Sequence, residues 1–208
     1  NFQGDEFTKR FGQNWGTPLP LWKQHALDNY HWLSQRIQNL SQYFHKIRID
    51  HSLGYFRAYA FPWRGEDNSL FLKLSDNEIY NQTGGRYPRF FPDADTHVRG
   101  RMSNSNQGAM IFRAMQQAAG NCQLVAEDLG AEVPNYVRQT LRELGIPGYS
   151  LFLNQRDSNS EFIRAEDFPE LSVTGLGTHD NPPIIKRYRE LVNLKNGPNG
   201  HQHWLEMQ

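Results

Sequence analysis

Cysteine is nearly absent: Cys122 is the only one in the chain, so no internal disulfide can form and the fold cannot rest on covalent staples. That fits a reducing compartment, and a cytoplasmic location is expected. Long apolar runs are missing too. No stretch approaches the roughly 18 consecutive apolar residues of a membrane span, so no membrane partner is expected. Nor is there an excess of charge of one sign, since 22 Lys and Arg balance 22 Asp and Glu. Nucleic-acid binding depends on neutralising phosphates, and a balanced chain without a basic run argues against it. No nicotinamide, flavin or phosphate-binding loop is visible, and no cofactor is expected.

What the chain does have is enough length for a core and an abundance of rings. Its 208 residues correspond to one or two domains. An aromatic share of 13% suits a carbohydrate groove, where flat rings lie against apolar sugar faces, although core packing uses the same residues. The chain starts at Asn1 with no signal-peptide pattern, and Asn1 to Arg10 is polar and aperiodic. A piece of something longer is the expectation.

Periodicity organises the rest. Ala26, Tyr30, Leu33, Ile37, Leu40 and Phe44 recur at spacings of three and four, which predicts one helix from Trp22 to Phe44. Ile47 to Asp50 is short and β-branched and reads as a buried strand. Residues 64–101, rich in glycine, asparagine, aspartate and proline, read as an insertion with a short hairpin around Leu70 to Leu74. It is either a surface excursion or a lid over a groove. Ile111, Ala114, Met115 and Ala118 mark a helix that Gly120 ends, and Leu124 to Asp128 is a strand. Pro134 opens a helix with a stripe of Val137, Leu141 and Leu144, closed by Gly145. Strands follow at Tyr149 to Leu153 and Val173 to Thr178, Pro182 and Pro183 begin a helix with an apolar stripe of Ile184, Ile185, Tyr188, Leu191 and Val192, and His201 to Gln208 reads as a helix that stops partway. Helix alternating with apolar strand predicts an α/β fold with a parallel sheet.

Carboxylates follow three of these strands, at the ends where parallel-sheet enzymes keep their chemistry. They are Asp50 in Arg48-Ile49-Asp50-His51, Glu127 in Leu124-Val125-Ala126-Glu127-Asp128, and Asp180 in Gly177-Thr178-His179-Asp180. Retaining glycoside chemistry needs one carboxylate nucleophile and one carboxylic acid that switches to base. On the first strand Arg48 and Asp50 share a face. A guanidinium beside a carboxylate favours its ionised form, as a nucleophile requires; a buried structural ion pair accounts for the same two residues. Asp128 faces away from Glu127 and reads as a cap on the Leu129-Gly130 turn. Gly12 to Pro18 forms a glycine-bounded loop whose Trp15 is either a sugar-stacking platform or a core anchor. The His179-Asp180 pair also occurs in HD-type metallophosphohydrolases, but a metal site needs further ligands at helical spacing. The only close histidine pair is His201 and His203, and no metal is expected.

Five ordered motifs give the chain a resemblance to the 4-α-glucanotransferases, the amylomaltase or disproportionating-enzyme family of the α-amylase-like superfamily. They are GQNWGTP at Gly12–Pro18, RIDH at Arg48–His51, AEDLG at Ala126–Gly130, GIPG at Gly145–Gly148 and GTHDN at Gly177–Asn181. The resemblance implies a partial (β/α)8 TIM barrel, about its fourth to seventh strands, forming one catalytic domain over residues 1–208. Its remaining strands are expected from a longer chain. It implies that Asp50 is the nucleophile, Glu127 the general acid and then base, and Asp180 the stabiliser of the transition state. Gln13, Trp15, Arg48, His51 and His179 would contact malto-oligosaccharide or α-glucan substrate. A truncated, non-catalytic malto-oligosaccharide binder is the rival expectation. Where the family often has an aromatic residue after RIDH, this chain has Ser52.

Overall fold

The computed structural model describes residues 16–60, 68–85, 89–130, 133–152 and 163–196. It is a mixed α/β structure with short sheets, dividing into two compact units after Ile146. Among the described residues no helix is long and apolar enough to cross a membrane.

Among its described residues the first unit begins with two helices where the apolar spacing predicts one. Helix α1 (Trp22–Leu27) stops before α2 (His31–Ser41), and Asn29 and Tyr30 between them both have φ 55°. Asparagine tolerates this left-handed backbone better than most residues. The Asn29 N–H donates to the Ala26 carbonyl at 3.3 Å and the Tyr30 N–H to the His25 carbonyl at 2.7 Å. This Schellman pairing satisfies the carbonyls that a helix end leaves free. The Asp28 carboxylate then accepts the His31 N–H at 3.2 Å and restarts the helix. Of the predicted stripe, Tyr30, Leu33 and Ile37 are buried, while Leu40 and Phe44 are exposed.

Strand β1 (Lys46–Ile49) follows, then a one-turn helix α3 (Leu53–Phe56) and strand β2 (Ala58–Ala60). No hairpin forms around Leu70 to Leu74. A 3-10 helix covers Asn68–Lys73 and helix α4 covers Asp76–Gln82. Ser75 and Glu78 make a reciprocal capping box at the start of α4, a helix signal that outweighs the turn-rich composition. Phe71 and Ile79 pack there into a small core of their own. Strand β3 (Arg89–Phe91) pairs antiparallel with β2, with Tyr59 opposite Phe90.

Helix α5 (Val98–Ala119) starts within the stretch expected as an insertion and ends, as expected, at Gly120. It spans the core through Ile111, Phe112 and Met115, all fully buried. A Cβ on Gly108 would lie 2.2 Å from the Phe56 ring, so only glycine lets α3 approach α5 this closely. Strand β4 (Gln123–Ala126) pairs parallel with β1, setting Ile47 opposite Leu124 and Ile49 opposite Ala126. Side chains of β1 alternate as predicted, with both isoleucines buried, whereas Leu124, Val125 and Ala126 are all buried on β4. Helix α6 (Asn135–Glu143) follows Pro134 and buries Val137 and Leu141. Gly145, at φ 69°, donates its N–H to the Arg142 carbonyl, and buried Ile146 donates to the Leu141 carbonyl. GIPG is thus a Schellman helix stop with its apolar contact.

A polar knot ties residues 93–95 into this unit. Fully buried Asn104 accepts the Asp93 N–H at 3.1 Å and donates to the Asp93 carbonyl at 3.0 Å and to Asp95 Oδ1 at 2.8 Å. The Tyr136 hydroxyl also donates to Asp95 Oδ1, and Arg57 Nε lies 2.6 Å from Asp95 Oδ2.

The second unit contains β5 (Gly148–Leu151) and β6 (Ser172–Gly175), paired parallel with Leu151 opposite Gly175. A 3-10 turn at Ala165–Asp167 lies between them, and helix α7 (Ile184–Lys195) follows the two prolines. Ile184, Ile185 and Tyr188 of its apolar stripe are exposed.

Candidate active site

The register of β1 and β4 decides where the first two carboxylates go. Ile49 is opposite Ala126, so the next residues, Asp50 and Glu127, leave neighbouring strands at the same level. Three hydrogen bonds then join the two turns. The Glu127 N–H donates to the Ile49 carbonyl at 2.9 Å, and the Ser52 N–H donates to the Glu127 carbonyl at 2.8 Å. The His51 N–H donates to Glu127 Oε2 at 2.7 Å. The last requires the turn after β1 to bend sharply back, and His51 has φ 45°. Gly54 leaves room for the imidazole, since a Cβ there would lie 3.0 Å from His51 Cδ2.

Half-buried Glu127 also accepts the Leu129 N–H at Oε1, 3.2 Å away. Each carboxylate oxygen offers about two lone-pair directions, so two N–H donors orient the group and leave directions free for a proton. Asp50 differs. Its side chain is 75% exposed and reaches Arg48 at 2.5 Å. An exposed pair of this kind contributes at most about 1 kcal/mol. The sequence-level picture of an Arg48–Asp50 pair in a buried interior is therefore corrected: the face opposite the isoleucines opens to solvent, and the pair orients a reachable carboxylate. Tyr55 stands nearby. Burial raises the pKa of its hydroxyl, Arg36 opposes that shift and the Asp50 charge adds to it.

Asp128 is also gripped from outside its own turn. It is buried and held by Arg138 of α6, whose Nε donates to Asp128 Oδ2 and whose Nη2 donates to the Asp128 carbonyl, each at 3.3 Å. The N–H of the turn at Leu129 goes to Glu127. A single arginine ten residues downstream carries no sequence signal; only the fold brings it here.

His179 and Asp180 belong to the second unit, on the turn between β6 and α7. They lie 3.4 Å apart and are both largely exposed. Their turn is held by local bonds. Asn181 Oδ1 accepts the Thr178 N–H at 2.8 Å, and the Asp180 N–H donates to Thr178 Oγ1 at 3.3 Å. Gly177 is required, because its Cβ would lie 2.8 Å from Asn181 Oδ1. Arg48, Asp50, His51 and Glu127 are thus brought together, and His179 and Asp180 meet each other. Gln13 and Trp15 lie outside the described residues, as do His201 and His203. Among the described residues no three His, Cys, Asp or Glu side chains cluster as metal ligands.

This geometry coincides with similarity along nearly the whole chain. The 4-alpha-glucanotransferase family profile matches residues 4–206. The chain is 31% identical over 172 residues to a 4-alpha-glucanotransferase of Chlamydia pneumoniae, covering 82% of this chain and 27% of that protein. A chloroplastic/amyloplastic 4-alpha-glucanotransferase of Solanum tuberosum is 28% identical over 174 residues, 83% of this chain and 25% of its own length. The 4-alpha-glucanotransferase of Thermus thermophilus is 28% identical over 189 residues, 88% of this chain and 31% of its own. The chain therefore spans about a quarter to a third of these relatives' lengths. With its family profile matched from residue 4 to residue 206, the chain belongs to the 4-alpha-glucanotransferase family.

Proposed function

We propose that this chain carries the catalytic centre of an enzyme that moves α-1,4-glucan segments between malto-oligosaccharides with retention of configuration. The observation that carries the reading is the pairing of Asp50 and Glu127 at matched ends of adjacent parallel strands, with their turns hydrogen-bonded to each other. Exposed Asp50, oriented by Arg48, attacks the anomeric carbon. Glu127 protonates the departing glycosidic oxygen as that bond breaks, leaving a glycosyl ester on Asp50. Glu127 then takes the proton from an acceptor sugar hydroxyl, whose oxygen attacks the same carbon and releases Asp50. Such double displacement calls for carboxyl groups roughly 5–5.5 Å apart.

Asp180 completes the reading as stabiliser of the cationic transition state. His51, His179, Gln13 and Trp15 contact the sugars. The two parallel strand pairs are read as parts of a (β/α)8 barrel, about its fourth to seventh strands, within one catalytic domain whose other strands belong to a longer chain. No cofactor or metal takes part. A cytoplasmic location completes the proposal.

Incubation of the intact protein with maltotriose tests it. Longer and shorter oligomers are expected, and Asp50→Asn and Glu127→Gln should each cut their formation by at least about 1,000-fold with folding unchanged. Ordinary activity in either variant removes that residue from its role. Binding of maltotriose without redistribution favours a non-catalytic binder.

A further inference from the structure

The peptide unit between Asp128 and Leu129 is held from both sides. Its N–H donates to Glu127 Oε1 at 3.2 Å. Its carbonyl accepts from Arg138 Nη2 at 3.3 Å, while Nε of the same guanidinium donates to Asp128 Oδ2 at 3.3 Å. A trans peptide is planar, with C=O and N–H pointing in opposite directions. Whatever fixes the carbonyl therefore aims the N–H. The guanidinium is a rigid fork, and two of its donors grip one residue, so it sets the orientation of that residue and not merely its charge balance.

We infer that Arg138 is a positioning residue for the proton-transfer step, acting through the Asp128–Leu129 peptide to hold the Glu127 carboxylate in line. The inference rests on the reading of Glu127 as acid and base. It asks more of α6 than packing: the helix that buries Val137 and Leu141 also delivers the fork that aims the acid. On the opposite side Glu127 is anchored by Ile49, His51 and Ser52. Loss of Arg138 leaves that anchoring intact, so the carboxylate stays at the site but loses its aim. A defect of this kind falls on protonation of the leaving group and spares sugar binding.

The test compares two donors on the intact protein. Maltotriose needs a proton on its departing oxygen; α-maltosyl fluoride carries a leaving group that departs without one. Arg138→Met should lower kcat on maltotriose about 100-fold, with KM nearly unchanged, as expected for a misplaced catalytic group. Fluoride release in the first turnover should fall much less. Equal losses on the two donors, a larger loss on the fluoride, or no loss on either overturns the proposal. If Arg138→Met does not fold, Arg138→Lys keeps the charge and stem without the fork, and the same ratio decides. Glu127→Gln run alongside separates the two levels. A selective loss on maltotriose in that variant supports its role as acid. Equal or absent loss there removes the underlying reading, whatever Arg138→Met does.

Discussion

The turn after β4 and the turn after β6 both present a carboxylate at the end of a parallel strand, yet they are held in different ways. At Glu127 the bonds reach across the chain, from His51 and Ser52 some 76 residues away. At Asp180 they stay within Thr178 to Asn181. The strands beneath differ in the same sense. Those under Glu127 are buried in a core built from α2, α5 and α6, whereas α7 leaves Ile184, Ile185 and Tyr188 exposed. A turn made of its own side chains keeps its shape with little help. A turn made by pairing two strands has its shape only while the core holds.

The sharpest way to break this comparison is to damage the core. Phe112 is fully buried beside Phe56 and Tyr55. Phe112→Ala should cost about 3–5 kcal/mol, read from the midpoint of urea unfolding. Ile185→Ala, on the exposed stripe of α7, should stay within about 0.5 kcal/mol in this 208-residue chain. Equal costs would mean that the two regions are buried alike.

A smaller effect comes from alkali. Burial and donation to Asp95 raise the Tyr136 hydroxyl to about 12 from 10.0. The unfolded chain loses this proton first, so between about pH 10 and 12 the folded state binds more protons and stability falls as pH rises. The contribution is present in full below pH 10. With allowance for solvent screening, roughly 1–2 kcal/mol should disappear over that range. Tyr136→Phe should make the decline shallower by that amount in unfolding midpoints measured at the two pH values.

Smallest is the local turn. Asn181→Ala removes the acceptor for the Thr178 N–H and should cost about 1 kcal/mol. Its effect should show in faster amide exchange at Thr178, with exchange in β4 unchanged. Slowed exchange, or a change spreading to β4, would show that this turn is not self-contained.

How much of this was legible in the residues follows the same division. Gly120, Pro134 and Gly145 mark helix ends by their own backbone preferences, and all three fall where periodicity puts them. The alternation of Ile47 and Ile49 with Arg48 is likewise a property of four residues, and it survives in β1. The break at Asp28 to Tyr30 was hidden because the apolar spacing runs through it, and only the Asn29 backbone and the Asp28 cap reveal it. The composition of residues 64–101 pointed to loops, yet Ser75 and Glu78 cap a helix there and Asp93 to Asp95 lock onto Asn104.

Short-range order and the chemical types available came from the chain alone: where helices stop, which strands are apolar, and that each of three strands is followed by an acid. Partner choice across long separations was a tertiary decision. The register that levels Asp50 with Glu127, the exposure of Asp50, and the grip of Arg138 on Asp128 each join segments that no local pattern links. The reason is physical. Backbone preference and side-chain period act over a few residues, whereas strand pairing and a guanidinium's choice of acceptor depend on what the packed core brings within about 3 Å.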